Sequence, residues 1–181
     1  MAVKTLENLF CEILKEVYYA EKRLRRAVPK MAKGARSQAL AAVFEGYGTR
    51  SQRQIERLEK IFEMLGKSPE DRTWPVIGGM IDEGLEFLQR YEASPALDAG
   101  LLAAAQAVGQ CQIVRYATLK RWAAVLRMQE AAKLLDESLQ QEVRNSRRLT
   151  ALADSVLPAE FTEETFDFEA MQHAASFPEA A

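Results

Sequence analysis

Four apolar stripes of helical period run through this sequence, and each fails where a polar side chain takes an inward position. In the first stripe Glu21 stands inward between Tyr18 and Leu24. In the second, between Tyr47 and Leu58, the inward positions fall on Arg50, Ser51 and Gln54. In the third, between Val108 and Leu119, they fall on Gln112 and Arg115, and in the fourth, between Leu139 and Leu149, on Glu142 and Ser146. With chain reversals near residues 35 and 127, Glu21, Arg50, Gln112 and Glu142 each lie 14 or 15 residues from a turn. Spacing alone therefore predicts one polar layer across the middle of a helical bundle, the level at which such folds build cofactor sites.

The chemistry open to that layer is narrow. A dinuclear iron or manganese centre uses about four carboxylates and two histidines. The layer offers Glu21 and Glu142, with Glu137 a turn away, and no imidazole. The chain's 1 histidine, His173, falls near the C-terminus, outside all four stripes. A guanidinium cannot coordinate a cation, and buried carboxylates must be paired or protonated. Arg50, with Arg115 as a second candidate, is thus the expected counter-charge in place of a metal. No metal and no cofactor are expected; if a metal binds, Glu21, Glu137 and Glu142 are its ligands, with iron the alternative cofactor.

No catalytic residue is assigned. A Ser-His-Asp site, a multi-histidine zinc site or a facial triad would have to be built around His173 alone. No GxGxxG, P-loop, GxSxG or HExxH stretch occurs. Cys11 and Cys111 stand apart without a CxxC pattern, as reduced buried thiols do.

The elements that must position the layer follow from the stripes themselves. Leu6, Phe10, Leu14, Val17, Leu24, Val28 and Met31 mark a long first helix, with Pro29 as a kink and Gly34 as its C-terminal cap. Ser37 caps a second helix that stops near Gly66, with Pro69 beyond it. Residues 67–75 read as a linker, a shorter helix follows near Ile77 to Tyr91, and Ser94-Pro95 is expected to cap and open the third long helix. After a break near Met128 the fourth long helix carries Leu135, Leu139, Val143, Leu149 and Val156. Nothing alternates with the period of a strand. The expected fold is an all-α, ferritin-like four-helix bundle over residues 1–156. It is made of two long hairpins, with the short extra helix in the 67–95 crossover.

Residues 157–181 form a tail of different character, either helical or partly disordered. Six of the chain's 26 acids and none of its 24 bases lie there, so the tail carries −6 and the bundle +4. Phe161, Phe166, Phe168, Met171 and Phe177 could anchor it on the bundle or on a second subunit. At 181 residues, 48% hydrophobic and 28% charged, the chain is an ordinary globular protein with a net charge of −2, which disfavours nucleic acid as a partner. One local exception is the run from Glu21 to Arg36, where seven bases meet one acid. No apolar run approaches 18 residues and Met1–Phe10 lacks a signal pattern, so a cytoplasmic protein with no membrane partner is expected.

An ordered set of stretches also carries a resemblance. Tyr18-Tyr19-Ala20-Glu21-Lys22, Pro29-Lys30-Met31-Ala32, Gln54-Ile55-Glu56-Arg57-Leu58-Glu59 with Phe62, Ala103-Ala104-Ala105-Gln106, Tyr116 with Thr118-Leu119, and Ala131-Ala132 with Leu134-Leu135 make residues 4–156 resemble the YciE/YciF family of bacterial ferritin-like proteins. The resemblance implies a fold similar to di-iron carboxylate proteins, a stress-associated or ferroxidase-like role, and a homodimer. Tyr18, Tyr19, Trp74 and Trp122 would supply aromatic surface for that dimer. Glu21 and Glu142 match family acids. The family's His-Leu-Glu-Glu-Thr stretch is Tyr47-Gly48-Thr49-Arg50-Ser51 here, its Val-Glu-His-Tyr-Glu stretch is Val108-Gly109-Gln110-Cys111-Gln112, and its second acid on the last helix is Ser146.

These losses coincide with the layer read from spacing. Three function classes follow: a non-catalytic bundle acting through assembly or a protein partner of unknown identity, a residual metal protein, and a binder of nucleic acid or acidic surfaces.

Overall fold

A computed structural model describes residues 4–157; the acidic tail beyond Leu157, with His173, lies outside them. Five helices follow one another: α1 Leu6–Gly34, α2 Gln38–Met64, α3 Pro75–Arg90, α4 Leu97–Val125 and α5 Gln129–Thr150, then a short 3-10 turn at Asp154–Val156. No strand occurs among the described residues. The four long helices are α1, α2, α4 and α5. They pair as the hairpins α1–α2 and α4–α5, and α3 lies in the crossover against α1 and α4.

The helix ends have local causes. Thr5 and Asn8 form a reciprocal box at the start of α1: the Asn8 amide donates to the Thr5 hydroxyl (3.3 Å) and the Thr5 amide to Asn8 Oδ1 (2.9 Å). The helix continues through Pro29 to Gly34, and its C-cap is Ala35 rather than the expected Gly34. Ser37 caps α2 as expected, its hydroxyl accepting from the Leu40 amide at 3.3 Å. The buried carboxylate of Asp98, at the start of α4, accepts from the Arg36 and Ser37 amides at 2.9 and 2.6 Å. That contact holds the first hairpin turn against the second hairpin. Gly66, at φ 64°, closes α2 in the left-handed region where glycine is unstrained.

Two further expected boundaries move. Ser94 does not cap α4, which begins at Leu97; its hydroxyl accepts from the Ala96 amide at 3.1 Å inside a turn. The last long helix ends at Thr150, and Val156 belongs to the following 3-10 turn.

The core divides into two apolar clusters. One, around Leu24, Val28, Phe44, Ile77, Ile81, Leu101 and Leu149, is covered by α3. The other holds Phe10, Leu14, Leu58, Ile61, Phe62, Leu119 and Leu135. Gly84 lets α3 approach closely: a Cβ there would stand 2.6 Å from Met31 Cε and 3.3 Å from Ala104 Cβ. Two of the four aromatics expected on a dimer face, Tyr18 and Trp74, are instead buried in these clusters.

Candidate functional site

The polar layer exists, and it separates the two apolar clusters. Glu21, Ser51, Gln54 and Gln112 are fully buried and Glu142 is 1% exposed. Each sits on a helical seam: Val17–Glu21–Leu24 on α1, Tyr47–Ser51–Gln54–Leu58 on α2, Val108–Gln112–Tyr116–Leu119 on α4 and Leu135–Ser138–Glu142–Asn145–Leu149 on α5. Steps of three and four residues keep one side of a helix turned to its neighbours. The same steps that bury Leu and Phe above and below carry these polar groups inward.

The carboxylate of Glu21 accepts three hydrogen bonds. Gln112 Nε2 and the Tyr116 hydroxyl donate to Oε1 at 2.7 and 2.9 Å, and the Ser51 hydroxyl donates to Oε2 at 2.8 Å. Glu142 Oε1 accepts from Gln54 Nε2 at 2.7 Å. The layer is short of donors. Glu142 Oε2, Gln54 Oε1, Gln112 Oε1 and the Tyr47 hydroxyl are all buried without a hydrogen-bond partner among the described residues.

Burial, which disfavours the charged form, pushes the Glu21 carboxyl well above the usual carboxylate range. The negative charge of Glu142 adds to this, against the bonds from Ser51, Tyr116 and Gln112. Glu142 is raised by the same burial, opposed by the Gln54 bond and the positive charge of Arg50. The Tyr47 and Tyr116 hydroxyls are raised too, first by burial and then by these two acids.

Three residues expected in the layer stand beside it. Arg50 does not pair with a carboxylate: its Nη2 donates to Asn145 Oδ1 at 2.8 Å and to the Val43 carbonyl at 3.2 Å. Its guanidinium lies 5.5 Å from the Tyr47 ring centroid. The reason is register. The inward sequence on α2 is 47, 51, 54, 58, which leaves position 50 turned toward α5, so its charge reaches Glu142 only through space. Arg115 likewise falls off the 108–112–116 seam; it pairs with Glu16 at 3.3 Å and stacks over Trp74 at 4.4 Å. Ser146 faces α4, where its hydroxyl accepts from Gln110 Nε2 at 3.0 Å. Glu137, the third candidate metal ligand, is a surface residue paired with Arg57 at 3.1 Å.

Other members were missed. Tyr116 follows Gln112 by four residues, Asn145 follows Glu142 by three, and Tyr47 precedes Ser51 by four. Extending the polar seam one turn each way would have found all three. Cys11 and Cys111 are free and half-buried rather than buried.

A dinuclear metal centre does not fit this donor set. Both oxygens of Glu21 are engaged by hydroxyl and amide donors, and Glu137 lies on the surface. Among the described residues no group of three or more His, Cys, Asp or Glu side chains comes together. Nor is any helix among them long and apolar enough to cross a membrane.

The bundle has clear relatives. It is 36% identical over 154 residues to protein YciF of Escherichia coli (strain K12), which covers 84% of this chain and 93% of that protein. The crystal structure of the E. coli stress protein YciF matches with a TM-score of 0.80 at 34% identity, over 85% of this chain and 98% of that one. YcfI from Rhodopseudomonas palustris matches with a TM-score of 0.77 at 33% identity, over 82% and 95% of the two chains. The family described as "Domain of unknown function (DUF892)" matches residues 5–162. By that match, and by its likeness to YciF along the length of the bundle, the chain belongs to this YciF-like family of helical bundles.

Proposed function

We propose that this protein is a non-catalytic, ferritin-like member of the stress-associated YciF group, working through self-assembly or a protein partner. In it the di-metal centre has become a register-setting layer of carboxylates, amides and hydroxyls. The observation that carries this reading is the Glu21 carboxylate, held by Ser51, Gln112 and Tyr116 on two other helices. Three donors on one buried acid occupy the lone pairs a metal would need, and they tie α1 to α2 and α4. A proton, rather than a cation, then relieves the two buried acids, and it supplies the donor that the surrounding oxygens lack.

A second reading keeps a single hard cation. The unpaired oxygens of Gln54, Gln112 and Glu142 favour it, since such ions take oxygen ligands. Anaerobic iron loading, desalting and elemental analysis separate the readings. The proposal expects no retained iron. About two irons per chain would overturn it, and one per chain that is lost in Glu142→Ala would support the second reading. Light scattering of the purified chain tests the homodimer.

A further inference from the structure

The basic run on α1 is partly neutralised within the fold. Lys22 and Arg23 of that run are paired with Asp71 in the crossover and Asp82 on α3. A denser cluster of bases among the described residues lines a groove of about 290 Å³ between α2 and α5, formed by Arg50, Arg53, Arg57, Arg144 and Arg148 with Gln141 among them. The two helices contribute the same spacing: positions 50, 53 and 57 on one, 141, 144 and 148 on the other. Steps of three and four place each trio along one stripe, and the pairing of α2 with α5 brings the stripes face to face.

Five guanidiniums along one groove repel each other unless something negative lies between them. Among the described residues only Arg57 of the five forms an ion pair, with Glu137. Arg50 is held in place at the back of the groove by buried Asn145, and its buried Nε has no partner. Arg57 is oriented by Gln141 Oε1 at 3.3 Å. Two anchored guanidiniums and three exposed ones thus line a concave site whose lining holds no carboxylate, Glu137 engaging Arg57 from beside it.

We propose that the α2/α5 groove is a binding site for the phosphoryl group of a small molecule, free phosphate or a short phosphate chain. Guanidiniums match such groups because their planar forks donate two parallel hydrogen bonds to a pair of oxygens, and a multiply charged oxyanion can be shared by several forks. The volume admits a phosphate chain or a compact phosphorylated metabolite. The groove meets the central layer at Arg50 and Asn145, so its test substitutes only the exposed Arg53 and Arg144 of its lining and leaves the layer intact whether or not that layer holds a metal.

Titration calorimetry on the full-length protein decides it, with inorganic phosphate and tripolyphosphate as probes. Saturable binding is expected, tighter for tripolyphosphate and weakening as salt rises. Arg53→Gln with Arg144→Gln, both at exposed positions, should weaken tripolyphosphate at least about ten-fold, since each lost fork removes charge-assisted bonds. Arg26→Gln with Lys30→Gln removes the same net charge from α1 and should leave binding unchanged. Equal weakening by the two pairs would reduce the effect to net charge and overturn the proposal. Binding seen only after Glu160, Glu163, Glu164 and Asp167 are replaced by their amides would overturn it too, by making the chain's own tail the occupant. Absence of tripolyphosphate binding in both backgrounds would do the same.

Discussion

Replacing Glu142 by glutamine tests the account of the central layer most directly. The carboxyl is 1% exposed, and burial moves it from an ordinary 4.5 to about 7. At 1.36 kcal/mol per pH unit, ionising it inside the fold costs about 3 kcal/mol. The sign follows from proton counting. Between 4.5 and about 7 the folded chain holds at Glu142 a proton that the unfolded chain has released, so this contribution to stability falls as pH rises through that window and then levels off. Glutamine mimics the protonated acid. Its oxygen can still accept from Gln54 Nε2, and its NH2 offers a donor to a layer whose orphaned atoms are all oxygens apart from any proton on Tyr47.

The variant should therefore equal or slightly trail the wild type at pH 4.5 and exceed it by about 1–3 kcal/mol at pH 8, an amount bounded by the ionisation cost. Its pH slope should be shallower but not flat, because Glu21 loses the part of its shift due to the Glu142 charge and keeps the larger part due to burial. Urea unfolding followed by circular dichroism at several pH values between 4.5 and 8.5 measures both quantities. A variant less stable than wild type by more than about 1 kcal/mol at pH 8, with the slope intact, would refute the reasoning. That result would mean the layer needs an ionised carboxylate and therefore a cation.

Two further outcomes follow from the same contacts. Tyr116→Phe removes one of three donors to Glu21 and should cost about 1–2 kcal/mol in urea unfolding, with Glu21 still held by Ser51 and Gln112. Asp98→Ala leaves the Arg36 and Ser37 amides without their acceptor at the first hairpin turn. It should cost about 2–3 kcal/mol and raise hydrogen exchange at residues 36–40 before it affects α5.

The bundle was legible because long amphipathic helices announce themselves at a period of 3.6 residues, and Ser37, Gly66 and the break near Met128 mark their ends. Ser94 misled because a serine before proline satisfies an N-cap pattern as readily as it does the turn actually formed. In the layer, Glu21, Ser51, Gln54, Gln112 and Glu142 were found because each replaces an apolar residue at the centre of a seam. Arg50, Arg115 and Ser146 were misplaced because each lies one helical step from the seam centre. A rotation of about 100° per residue puts such a position at the edge of the stripe, where a long side chain can turn either way.

The helices, their antiparallel pairing and the height at which polar groups interrupt the core are written in the order of residues along the chain. Those follow from local periodicity and from counting residues to each turn. Which donor meets which acid is set by packing, because it depends on the azimuth of each helix against its neighbours. Arg50 therefore left Glu142 for Asn145, while Tyr116 reached Glu21 across 95 positions of chain. The facing arginines of α2 and α5 emerged for the same reason: each stripe alone is an ordinary solvated face, and the packing of the two helices makes it a groove.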